Sequence, residues 1–161
     1  MTTNAAQFVL ESATTVISHA ATLTNNSYTY SGLTGCTMTD LDNSTVKCPH
    51  LRLVLNVPDT FSAAPSAGAY VAVHMLTLNS DGTADDVPAP DSTALKAAKF
   101  IGSFPINIYD VAQQQTIILP NALLGVTTAQ FFIENKTGVS LTYASNPITL
   151  KATPLSLLPS A

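Results

Sequence analysis

The sequence predicts an all-β protein: a single β-sandwich, jelly-roll-like or immunoglobulin-like in arrangement, with extended segments at both ends. Three observations predict it. First, only 10% of the 161 residues are charged, against roughly 25% in an average soluble domain. Second, hydroxyls take the place of charge, with 22 Thr and 14 Ser, and 10 Pro and 10 Asn punctuate the chain. Thr fits a pleated surface, whereas Lys and Glu favour helices. Third, short apolar stretches of period 2 recur at spacings of about 10–15 residues. The length fits one domain, and 46% hydrophobic residues suffice for a core.

Residues 1–30 read as an N-terminal arm with the first strands, at Phe8 to Leu10, Thr15 to Ser18 and Ser27 to Tyr30. Residues 31–153 read as the sandwich body. Its clearest strand is His50 to Val57. Leu51, Leu53, Leu55 and Val57 share one face there, and His50, Arg52, Val54 and Asn56 the other. Pro58-Asp59 ends it, and the small residues 63–68 form a loop. Ala69 to Leu78 is apolar on both faces, so it is central in a sheet or has its outer face covered. Asn79-Ser80-Asp81-Gly82 is a turn. Thr83 to Asp91 reads as an acidic, Pro-rich exposed loop, and Ser92 to Lys99 as a turn or two of helix.

Phe100 to Ile108 puts Phe104, Ile106 and Ile108 on one face, and Pro105 makes this strand an edge or a bulge. Thr116 to Leu119 is short and apolar, closed by Pro120-Asn121. Gln130 to Asn135 alternates, Asn135-Lys136-Thr137-Gly138 turns tightly, and Leu141 to Tyr143 returns as a hairpin. Ile148, Leu150 and Ala152 form the last alternating strand. Residues 154–161 are apolar but broken by Pro154 and Pro159, which reads as an extended arm rather than a strand interior.

The same composition excludes functions. Six Lys and Arg with a net charge of -4 do not supply the clustered cations that displace counterions from nucleic acid. No apolar run is long enough for a transmembrane helix, and Met1-Thr2-Thr3-Asn4 opens no Sec-type signal. Reduced thiols are therefore the default for Cys36 and Cys48, with a disulfide as the alternative. Cys48-Pro49-His50 brings two ligand types together, but Cys36 is too far along the chain to complete a zinc spacing. His19 and His74 read as core or surface residues. The sequons at Asn25, Asn43 and Asn135 are close to chance for so hydroxyl-rich a chain.

Catalytic patterns are missing too. No Ser sits in a nucleophile elbow, and Glu11 and Glu134 are the only glutamates. The acidic set Asp81, Asp85, Asp86 and Asp91 lacks the order of a calcium loop. The expectation is no enzyme, no cofactor and no metal. A carbohydrate-binding module is the rival from another class. It usually stacks sugars on exposed aromatics, whereas this chain has no Trp and most of its Phe and Tyr fall at alternating, core-like positions.

Several segments resemble a family of small tailed-bacteriophage virion proteins. They are Leu41-Asp42-Asn43-Ser44-Thr45, the strand Leu51 to Val57, and Pro65-Ser66-Ala67-Gly68 leading into Tyr70 to Leu78. Asn79-Ser80-Asp81-Gly82-Thr83, Phe100-Ile101-Gly102-Ser103-Phe104-Pro105 and Leu119-Pro120 follow. The last are Phe131-Phe132-Ile133-Glu134-Asn135-Lys136-Thr137-Gly138 and Asn146 through Lys151. The likeness covers residues 40–152. It implies a jelly-roll-like β-sandwich and a head decoration or cement protein that binds the outside of the phage major capsid shell as a dimer or trimer. It implies a place on the virion exterior after synthesis in the host cytoplasm, and no catalytic residues. A neck, tail or spike component of the same fold is the alternative.

Such a part needs apolar surface that another subunit covers, and interface cores are depleted of Lys, Glu and Asp. Phe8, Val9 and Leu10 in the first arm, and Pro154, Leu155, Leu157 and Leu158 in the last, are the expected contacts. The alternative for Leu157 and Leu158 is that they fold back on their own sandwich.

Overall fold

A computed structural model of the chain describes residues 7–57, 63–78, 98–106, 111–142 and 146–158; of Gln7, Phe8 and Leu158 it describes the backbone alone. The described residues form ten strands: β1 (Gln7–Leu10), β2 (Thr14–His19), β3 (Cys36–Met38), β4 (Leu41–Asp42), β5 (His50–Val57), β6 (Tyr70–Leu78), β7 (Lys99–Pro105), β8 (Gln113–Leu119), β9 (Thr128–Lys136) and β10 (Ile148–Leu158). They form a six-stranded sheet, ordered β3-β2-β10-β5-β8 with β1 also on β10, and a four-stranded sheet, ordered β4-β9-β6-β7. All pairings are antiparallel. The protein is therefore all-β with two sheets, as the hydroxyl-rich, helix-poor composition requires.

The core lies between the sheets. Leu51, Leu53 and Leu55 of β5 and Ile148, Leu150 and Ala152 of β10 meet Val71, Val73 and Met75 of β6 and Phe131 and Ile133 of β9. Burying one such side chain stabilises by about 1.5–3 kcal/mol. In β2 the register slips between Leu150 and Lys151, which makes Val16 an extra residue and lets Val16 and Ile17 both bury. Pro105 ends β7, which is an edge strand of its sheet and carries a register shift as well. β6 lies between β9 and β7, and its outer-face Ala72 and Leu76 are buried, as its two apolar faces anticipate.

Three readings need correction. The segment expected as a strand at Ser27 to Tyr30 makes only an isolated bridge, Tyr28 to Glu134, because this loop crosses from one sheet to the other. Leu141 does not return along β9; it bridges Leu23 instead. Most consequential, residues 154–158 are not an arm. β10 runs unbroken through Pro154 and pairs with β5 on one edge, and on the other with β2 and then β1. Pro154 is tolerated because its carbonyl accepts the Glu11 N–H, at 3.1 Å. The N and C=O of a strand residue lie on the same edge. The missing N–H therefore faces residues 11–13, where β1 has ended and β2 has not begun, and no ladder bond is lost. No boundary falls at residue 154.

β3 and β4 have no counterpart in the sequence reading. Expectations for Pro58-Asp59, for the turn and acidic loop within 79–91, for Ile108 and for Tyr143 lie outside the described residues, as do residues 92–97 of the helical turns expected at Ser92 to Lys99; Lys99 itself begins β7 rather than ending a helix.

Candidate functional site

β1 and β2 run in line along one edge of β10, so the two segments expected as separate arms lie against each other. Phe8 pairs with Leu157, Val9 with Ser156, and Leu10 with Leu155. Leu155 in turn pairs with His50, and Arg52 of β5 with Ile118 of β8. Paired residues share a sheet face. Positions 8, 10, 155, 157, 50, 52 and 118 thus belong to the outer face of the larger sheet, at one end of it.

This corner is apolar. Leu10 is 54% exposed, Ile118 50% and Leu157 46%. Leu10, Arg52, Ile118 and Leu155 line a shallow depression of about 170 Å³, and Leu155, buried, forms its floor. Leu124, 71% exposed, stands in the turn after β8. That turn is tied down by the Leu123 N–H to Pro49 C=O bond, at 3.0 Å, and by the Asn121 N–H donated to His50 Nδ1, at 3.0 Å.

Of the seven expected contact residues, Leu10 and Leu157 are exposed on this corner. Leu155 lies beneath them, Pro154 is buried and Val9 is half-buried. Phe8 and Leu158 are placed only by strand position. Ile118, Arg52 and Leu124 escape the sequence reading. Ile117-Ile118-Leu119 is apolar at every position, so alternation gives it no phase, and only the β5 register shows that Ile118 faces outward.

Beneath the corner, Cys48 is buried, and its pKa is raised by burial and by Glu11, while a Ser156 hydrogen bond offsets part of the rise. Burial pushes Cys36 up to about 11, against a backbone hydrogen bond from Tyr30. Both thiols are free.

The opposite sheet carries a polar cluster on its outer face. Glu134 Oε2 lies 3.2 Å from His74 Nε2, and Glu134 Oε1 lies 2.8 Å from Lys136 Nζ. Lys136 also donates to Asn26 Oδ1 at 3.2 Å, which ties the crossing loop to β9. His74 stacks edge-on against Phe100, with ring centroids 5.8 Å apart. This cluster is a clamp across β6, β9 and the loop. Among the described residues no three His, Cys, Asp or Glu side chains converge as metal ligands, and no helix is long and apolar enough to cross a membrane. The acidic set from Asp81 to Asp91 lies outside the described residues.

Two sequons are hydrogen-bond hubs. Asn43 is buried; its Nδ2 donates to Cys48 O and Val126 O, and its Oδ1 accepts the Cys48 N–H. Asn135 is buried; its Nδ2 donates to Leu23 O and Val139 O, and its Oδ1 accepts from Thr137 N–H and Thr137 Oγ1. His19 is also buried, and neither ring nitrogen makes a hydrogen bond of good geometry.

No protein-family model matches this chain, and no curated protein matches it.

Proposed function

We propose that the chain is a structural subunit of a tailed-phage particle, a decoration or cement protein on the outside of the major capsid shell. The observation that carries this reading is the exposed apolar corner of Leu10, Ile118 and Leu157 on a charge-poor β body. Such a corner on a body with few charges is suited to being covered.

The jelly-roll form belongs to the same proposal. The pairs β2–β10, β4–β9, β5–β8 and β6–β7 are nested one within the next along the chain. Folding such a nested ribbon over itself yields the two four-strand rows β2-β10-β5-β8 and β4-β9-β6-β7. Two Greek keys of this kind make a jelly roll, a form used in viral capsid and lectin domains. Fold alone does not assign function; the segments that resemble phage virion proteins and the apolar corner support the choice.

Magnitude bears on oligomeric state. Burying the exposed halves of three such side chains stabilises docking by roughly 2–4 kcal/mol. Losing translational and rotational freedom costs about 4–15 kcal/mol. One corner is therefore too weak by itself, and a dimer or trimer that docks several corners at once overcomes this through avidity.

The test uses purified, undecorated capsids. Deleting residues 154–161 is a poor probe, because it also removes the strand that β1 and β5 pair with. Leu10→Glu, Ile118→Glu and Leu157→Glu change exposed side chains only. Each is expected to lower occupancy while leaving the thermal midpoint near that of the wild type; unchanged occupancy for all three refutes the corner as the docking face. The position and copy number on a cryo-EM particle separate a shell-wide decoration from a single ring at a neck, tail or spike.

A further inference from the structure

The crossing loop between β2 and β3 holds a pocket of about 390 Å³, walled by Thr24, Asn26, Ser27, Tyr28 and Tyr30 over the buried Leu23. We propose that this pocket is a binding site for a neutral sugar, one or two rings of a glycan. It is independent of the docking reading, since the free protein carries it whole.

The pocket is built, not incidental. Tyr28 bridges Glu134 of β9, and the Thr29 N–H donates to Ile133 O at 2.9 Å while the Ile133 N–H donates to Thr29 Oγ1 at 3.1 Å. The Asn26 N–H donates to Asn135 O at 2.8 Å, with Asn26 itself in the left-handed region at φ 61°. Ser27 donates from both N–H and Oγ to Thr24 O, and the Thr24 and Ser27 hydroxyls bond each other. A site ordered before its ligand arrives loses less entropy on binding.

Its chemistry selects the ligand class. Tyr28 and Tyr30 stand edge to face, ring centroids 6.1 Å apart and planes at 63°. Their half-buried rings offer apolar faces to the C–H side of a pyranose, while two hydroxyls and an amide line the wall beside them. Lys136 holds Asn26 Oδ1, so the amide offers its Nδ2 donor. The Lys136 ammonium beside Asn26 is already matched by Glu134 at 2.8 Å. Among the described lining residues an anionic ligand therefore finds no charged side chain, and a neutral polyol finds an amide donor, hydroxyl acceptors and aromatic faces. The volume sits at the low end of small-ligand pockets, which run from about 300 to 1,000 Å³. The aromatic platform escapes the sequence reading because Tyr28-Thr29-Tyr30 alternates like a strand.

Placement fits exposure on a particle. The loop follows His19, which pairs with Ile148, whereas the apolar corner surrounds Leu155 and Leu157. Those ends of β10 are about 23–30 Å apart at strand rise, and the loop pairs with β9 of the other sheet.

The test titrates isotope-labelled full-length protein with methyl glycosides of glucose, galactose, mannose and N-acetylglucosamine, and separately with inorganic phosphate. The expected result is saturable amide shifts confined to residues 22–33 and 134–136 for at least one glycoside, with Kd on the order of 1 mM, as suits a single small ring. Tyr30→Ala is expected to weaken that binding at least about tenfold while Tyr30→Phe retains it, since the stacking face is what the ring supplies. No saturable shift with any glycoside, shifts elsewhere on the protein, a response to phosphate alone, or undiminished binding by a folded Tyr30→Ala variant each overturns the proposal.

Discussion

Asn135→Ala tests whether buried side-chain amides, rather than further apolar packing, hold the end of the four-stranded sheet. The substitution removes two donated and two accepted hydrogen bonds at once. Not all are equal. Leu23 O keeps the Leu141 N–H at 3.0 Å, and Val139 O keeps Thr137 Oγ1 at 3.0 Å. The Thr137 N–H, inside the fold, loses its acceptor. An orphaned buried donor costs about 1–3 kcal/mol, and each weakened neighbour about 0.5–1 kcal/mol, for a total of roughly 3 kcal/mol. For a chain of this size that is a fall in Tm of roughly 6–12 °C. Differential scanning calorimetry beside Asn25→Ala supplies the comparison, because the exposed Asn25 side chain accepts the Gly138 N–H rather than joining a buried network. Asn135→Asp keeps the acceptor but aims a carboxylate at two carbonyls, so it should be no more stable than Asn135→Ala at neutral pH. A fall below about 2 °C for Asn135→Ala, or one equal to that of Asn25→Ala, refutes the reasoning.

His19 makes stability depend on pH. Burial lowers its folded pKa below the unfolded value of 6.5, with the Thr22 backbone offsetting part of that. The unfolded chain then binds the extra proton first, so stability from this group is full above pH 6.5 and is lost as pH falls from there through the folded pKa. The Tm should drop between pH 7.5 and 5.5, and His19→Leu should flatten that part of the profile; an unaltered profile in His19→Leu counts against it. The two thiols should resist alkylation at pH 8 in the native protein, Cys36 because its thiolate is scarce with a pKa about 11 and Cys48 because it is buried. Both should label once the chain is unfolded without reductant; fast native labelling of Cys48, or no labelling of the unfolded chain, refutes this.

Legibility in the sequence followed the range of the interaction that decides each element. His50 to Val57 is plain because half-burial leaves a period of 2 in the residues themselves. Pro105 announces an edge because a missing N–H is a local fact. Cys36–Met38 and Leu41–Asp42 are too short to show a period, and only their partners in β2 and β9 make them strands. Pro154 misleads for the same reason in reverse: proline argues against a strand interior until the neighbouring edge is seen to be interrupted at residues 11–13. The candidate corner was half legible. Leu10 and Leu157 stand out as members of short apolar runs near the two ends, but their apposition rests on a pairing that spans almost the whole chain.

That pairing sets a clock on when the apolar corner exists. Leu10 leaves the ribosome well before Leu157, separated by roughly seven to thirty seconds of synthesis. Until residues 148–158 arrive, β1, β2 and β5 all lack their common neighbour. A nascent chain that lacks β10 therefore has exposed sheet edges but no assembled corner, and a partner that recognises the corner reads the docking of β10 rather than any one segment.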